Sequence, residues 1–185
     1  MARRESRPDA KKMGPRDKRL YTLDVFLIGG QITKAFANQN PVISRTIEIR
    51  GDQTLEDLHN AIFDAFDREE EHMYEFQFGK GPHDPKGKRY VLRMATDAPF
   101  GGGPKTAGVV TRATIGSLGL KVDQPFGYWF DFGDDWWHQI DVVAIADEAP
   151  KGKYPRVTKR VGESPPQYPD WDGEDEEGDE EAEEA

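Results

Sequence analysis

The chain has 185 residues, of which 32% are charged and 36% hydrophobic, with a mean hydropathy of −0.81. That length fits one domain of ordinary size, and the polarity is too high for packed core throughout. No apolar run reaches the ~18–20 residues of a membrane-spanning helix. The basic N-terminus has no apolar segment of the kind a secretory signal needs. The absence of cysteine excludes disulfides, thiol catalysis and thiolate-held metal, and a cytoplasmic location is expected.

The chain begins with a basic arm. Residues 1–20 hold eight Lys/Arg against three acids, a net of +5, whereas residues 170–185 hold eleven acids and no base. Of the overall −10, the stretch 21–169 carries −4. Neither end buries enough apolar area to offset its ordering entropy. Residues 1–19 and 170–185 are therefore expected to be disordered tails on a single domain over 20–169. The arm is suited to a nucleic-acid backbone, and the tail to competing for a basic partner or folding back on the arm. The simpler reading is that both only solvate the chain.

Between the tails, residues 21–28 alternate as a half-buried strand does, with Tyr21, Leu23, Val25 and Leu27 on one face, until Gly29-Gly30 breaks the pattern. Residues 42–50 alternate again through Ile43, Ile47 and Ile49. A Gly51-Asp52 turn leads to Thr54, which can cap a helix carrying Glu56 and Asp57 in its first turn. Leu55, Leu58, Ile62 and Phe66 follow at helical spacing, and the helix is expected to end near Asp67 or Arg68. Residues 73–78 and 89–95 read as strands, 96–108 as a loop, 109–111 as a short strand and 114–118 as one helical turn. Strands over 126–132 and 136–146 complete the set. This order implies an α+β fold, a β-grasp-like mixed sheet with one main helix packed on one face.

The densest stretch is Tyr128-Trp129-Phe130-Asp131-Phe132-Gly133-Asp134-Asp135-Trp136-Trp137-His138. If Asp134-Asp135 form a two-residue tip, Asp131 lies opposite His138, Phe132 opposite Trp137, Phe130 opposite Gln139 and Trp129 opposite Ile140. Directly opposed Cβ atoms are about 4.5–5.5 Å apart, so this register predicts an Asp131–His138 hydrogen bond, which a three- or five-residue loop would undo. An imidazole oriented by Asp can act as a general base, or hold a metal with Asp134 or Asp135 beside it. The plainer reading is a buried polar pair that fixes the register beneath Trp129 and Trp136. His59, His72 and His83 show no ligand spacing, and no serine or threonine stands out as a nucleophile. No catalytic residue, metal ligand set or cofactor is assigned.

Other candidates are weaker. The run 101–106 lacks the glycines of a phosphate loop, with proline at 99 and 104. Lys86, Lys88, Arg89 and Arg93 form a small basic patch beside Tyr90, which reads more simply as a charged strand edge than as an RNA-binding surface. Pro165-Pro166-Gln167-Tyr168 is similar to ligands of aromatic grooves, but more simply wraps the domain's own surface, with Tyr154 and Tyr168 as anchors.

The run Phe130-Asp131-Phe132-Gly133-Asp134-Asp135-Trp136-Trp137-His138, followed by Tyr154-Pro155, Gly162 and Pro165-Pro166, resembles the plasmid pRiA open-reading-frame-three-like family over residues 20–169. The ending over 161–169 resembles members labelled TnpR-type passenger proteins of insertion elements. Much of the family continues Pro-Pro with an acidic, glycine-rich stretch, where this chain has Gln167-Tyr168-Pro169-Asp170-Trp171. The resemblance implies an α+β fold and a link to plasmids and mobile elements. It supplies no reaction, and no serine-recombinase constellation is present.

Three functions follow as expectations. The first is a non-enzymatic binding or accessory module with an unidentified protein partner. Its contacts would come from the aromatic hairpin (Trp129, Asp131, Asp134, Trp136, Trp137, His138) and the proline-rich segment with Tyr154 and Tyr168. The second is a nucleic-acid-binding accessory protein using the basic arm. The third is a metal-dependent hydrolase at Asp131, Asp134, Asp135 and His138.

Overall fold

A computed structural model describes residues 16–92 and 106–171. The expectations for residues 1–15, 93–105 and 172–185 lie outside the described residues; these stretches include Arg93, most of the arm, most of the 96–108 loop and most of the acidic tail. Strands β1 (Leu20–Gly29), β2 (Ser44–Arg50), β3 (Tyr74–Phe78), β4 (Lys88–Val91), β5 (Thr106–Val109), β6 (Pro125–Phe130), β7 (Trp136–Ala146) and β8 (Arg156–Val161) form one eight-stranded sheet. Their order is β5-β4-β3-β6-β7-β1-β2-β8, and each neighbouring pair is antiparallel except β4 with β5. Helix α2 (Leu55–Ala65) crosses one face. The α+β class read from the sequence holds, with strands dominating.

Alternation decides the two faces. Tyr21, Leu23 and Val25 of β1, Ile47 and Ile49 of β2, Tyr74 and Phe76 of β3, Phe126, Tyr128 and Phe130 of β6, and Trp136, Ile140 and Val142 of β7 are buried in one core with Leu55, Leu58, Ile62 and Ala65 of α2. Thr54 closes a capping box: its Oγ1 accepts from Asp57 N at 3.1 Å, and Asp57 Oδ2 accepts from Thr54 N at 2.7 Å. Such a cap satisfies two otherwise orphaned donors.

Four elements differ from the sequence reading. Strand β5 occupies Thr106–Val109, taking in the end of the expected loop, where the strand was expected over 109–111. A short helix α1 (Lys34–Gln39) follows β1, with no buried residue to give it an apolar stripe. The segment after residue 154, read as an extended wrap, pairs with β2 as edge strand β8. Asp17, Lys18 and Arg19, assigned to the arm, belong to the folded unit: Gly51 N donates to Arg19 O and Ala149 N to Lys18 O.

Candidate functional site

The β6–β7 hairpin places most of the expected site residues. Its register pairs Tyr128 with His138, Trp129 with Trp137 and Phe130 with Trp136. The loop therefore has five residues, 131–135, and the Asp131–His138 pair does not form. Asp131 and Asp135 both adopt positive φ (55° and 54°), a conformation aspartate tolerates better than most residues. Asp131 organises the turn instead. Its Oδ1 accepts from Gly133 N at 3.1 Å and from Asp134 N at 3.4 Å, and its Oδ2 lies 3.4 Å from His72 Nε2.

The same register sends neighbouring residues to opposite faces. Trp136 and His138 point into the core. Trp136 is sandwiched between the Arg68 guanidinium, 3.6 Å from its ring, and Gly30, where any side chain would collide with the indole. Among the described residues, neither ring nitrogen of His138 finds a hydrogen-bond partner, nor do Trp136 Nε1, Arg68 Nε and Arg68 Nη2. Burial, reinforced by the Arg68 charge, drives the His138 pKa down to about 3. The Tyr128 and Trp136 carbonyls oppose that shift, although neither makes a hydrogen bond of ordinary geometry with the ring. Burial also lowers Arg68, to about 10, so it remains a cation at neutral pH.

On the opposite face the hairpin carries a ladder of rings. Phe132 lies 4.2 Å from Trp129, Trp129 stacks on Trp137 at 4.7 Å and 10°, and Trp137 meets His83 at 3.8 Å. The two indoles are half-buried, while Phe132 and His83 are exposed. Asp135 Oδ1 holds the Trp129 indole N–H at 3.0 Å.

Tyr168 and Asp131, distant in sequence, both meet His72. The Tyr168 hydroxyl accepts from His72 Nε2 and donates to Glu70 Oε2, each at 3.0 Å. The proline-rich segment wraps the domain: Pro165 is buried, and Gln167 clamps the 69–70 turn through Glu69 N, Glu70 N and Glu70 O. Tyr154 lies elsewhere, its carbonyl accepting from Gln53 Nε2 at 2.6 Å and its ring under the Arg156 guanidinium. The hydrolase reading loses its ligand set, because His138 is in the core while Asp134 and Asp135 belong to the exposed turn. Among the described residues, no group of three or more His, Asp or Glu is placed to hold a metal ion.

A second site was not visible in the sequence. A cleft of about 570 Å³ is lined by Glu56, His59, Asn60, Glu71, His72, Met73, Tyr74 and Leu92. At its floor, His59 is 2% exposed and stacks on Tyr74 at 3.6 Å and 3°. Burial lowers the His59 pKa despite the Glu71 charge. The neutral ring has one sensible tautomer: Nε2–H donates to Glu71 Oε2 at 3.2 Å, and Nδ1 accepts from the Tyr128 hydroxyl at 2.7 Å. His59 occupies the buried face of α2 among the leucines, and that helical spacing is the one sequence signal that pointed inward.

The comparisons with known proteins give the family and the fold. The family model described as plasmid pRiA4b ORF-3-like protein matches residues 31–175, and the chain belongs to that family. A crystal structure titled as a protein of unknown function, MM3350 from Methanosarcina mazei Go1, is similar at a TM-score of 0.58 and 22% identity, covering 80% of this chain and 72% of the other. No curated protein matches the sequence.

Proposed function

We propose that this member of the plasmid pRiA4b ORF-3-like family is a non-enzymatic binding module, acting as a cytoplasmic accessory protein of mobile elements through the outer face of its aromatic hairpin. The observation that carries the reading is the ladder Phe132–Trp129–Trp137–His83, four rings in succession on the side of the sheet away from α2. Large aromatic faces held rigid by a strand register lose little entropy on contact and are favoured interface anchors. The turn carboxylates Asp134 and Asp135 border the ladder and would give a protein partner its orientation. Tyr168 and the proline-rich segment extend the contact along the loop edge.

The test is a photo-reactive side chain at position 132 of the full chain, expressed in the host that encodes it. The reading expects a discrete protein adduct that disappears in the Trp129→Ala/Trp137→Ala double variant while the fold persists. Absence of an adduct, or one indifferent to both substitutions, would contradict it.

A second reading rests on a basic cleft of about 410 Å³ lined by Pro85, Lys86, Gly87, Lys88, Arg89, Thr106 and Ala107. The loop that leads to this cleft also carries His83. A phosphate backbone in the cleft would bring bases toward Trp137, and binding would weaken steeply with salt. Salt-independent binding or none would remove this reading.

A further inference from the structure

We propose that the cleft between α2 and β3 is a binding site for an organic cation, an ammonium or guanidinium group carried by a small molecule or by a side chain of another protein. The cleft's size suits such a group with a short carbon chain, since ligand sites commonly span about 300–1,000 Å³. Its charge is one-sided. Glu56 and Glu71 line it, and among the described residues no lysine or arginine does. Glu56 has no ion-pair partner among the described residues, and Glu71 spends one oxygen on His59, which burial keeps neutral. Two carboxylates without a counter-charge among the described residues, beside a half-enclosed space, favour a cation over an anion or a neutral guest.

Tyr74 supplies the independent observation. The residue is 3% exposed, yet its hydroxyl has no hydrogen-bond partner among the described residues, and it lines the cleft. Burial pushes the Tyr74 phenol up, with the Glu56 and Glu71 charges adding to the shift. A hydroxyl left without a protein partner at the wall of a cleft is open to pairing by a donor group from a ligand. The stacked His59–Tyr74 rings add the aromatic wall on which cations settle. Met73 and Leu92 give apolar surface to the carbon chain, and the exposed Asn60 also lines the cleft. Metal ions fit less well, because the described His and Asp/Glu groups do not converge as a ligand set.

Calorimetric titration of the full chain with butylamine, agmatine and an arginine-containing peptide tests this, with butanol as the neutral control. The expected result is saturable binding of at least one cation and none of butanol. Glu56→Gln and Glu71→Gln should each weaken binding about tenfold. Tyr74→Phe, which keeps the ring stack, should weaken it roughly threefold. Tighter binding of the peptide identifies a protein side chain as the source, and tighter binding of agmatine a small molecule. The proposal is overturned if no cationic probe binds, if both Gln variants bind as the wild type does, or if magnesium binds while every amine fails. A melting temperature unchanged in Glu71→Gln, whose side chain is 64% exposed, separates lost binding from lost fold.

Discussion

Trp136 and Trp137 are adjacent in sequence and opposite in consequence. Trp136 is fully buried, wedged between the Arg68 guanidinium and Gly30. Trp137, one residue on, lies on the other side of the sheet between Trp129 and His83. The inner face of the hairpin is tightly packed but leaves polar atoms of Trp136, His138 and Arg68 unpaired among the described residues. The outer face is aromatic, with half-buried indoles flanked by exposed Phe132 and His83. A family signature that looks like one motif is thus two features, one holding the fold and one presenting a surface.

Breaking the inner half should have the larger effect. Trp136→Ala is expected to destabilise by about 3–5 kcal/mol, the usual range for an emptied aromatic core position, and denaturant titration measures it. Acid sharpens the contrast. With a folded pKa of about 3 for His138 and an unfolded value near 6.5, the unfolded chain takes up a proton below pH ~6.5 that the native ring refuses. The stability is therefore intact above pH ~6.5 and is lost as pH falls, by on the order of 3 kcal/mol at pH 4. His138→Phe removes that loss while costing little at neutral pH, and stability measured at pH 7 and pH 4 shows it. His59, lowered by burial in the same direction, leaves a residual acid slope.

Intermediate effects belong to the strap that closes the loop edge. Gln167→Ala strips three partly buried hydrogen bonds from the 69–70 turn and should cost about 1–3 kcal/mol. The outer ladder should matter least to folding: Trp129→Ala and Trp137→Ala are each expected to shift stability by about 1 kcal/mol or less, the worth of a half-exposed ring stack. If Trp137→Ala unfolded the chain as Trp136→Ala does, the division of the hairpin would be wrong.

The same alternation explains what could be read in advance. The strands, α2 and its Thr54 cap rest on local periodicity and capping chemistry, and both were legible. The hairpin register was not, because a two-residue tip was assumed where two aspartates at positive φ build a five-residue loop. Parity carried the missing signal. Opposed residues share a face, so apolar Phe126, Tyr128 and Phe130 had to meet Ile140, His138 and Trp136; the assumed register would have set Phe130 against Gln139 and Tyr128 against Asp141. Strand β8 escaped notice because an edge strand rich in Lys and Arg has no buried face to pattern. The cleft was invisible for a different reason: His59, Glu71, Tyr74 and Leu92 meet only through the sheet order, and no spacing along the chain encodes that meeting.

Hydrogen exchange of the four indole N–H groups in the full chain tests the central division most directly. The account predicts that the Trp136 N–H exchanges only through unfolding, while the Trp137 N–H exchanges freely in the native state. A Trp137 N–H as protected as that of Trp136 would contradict it, since the ladder would then be covered by the chain itself and have no face to offer a partner.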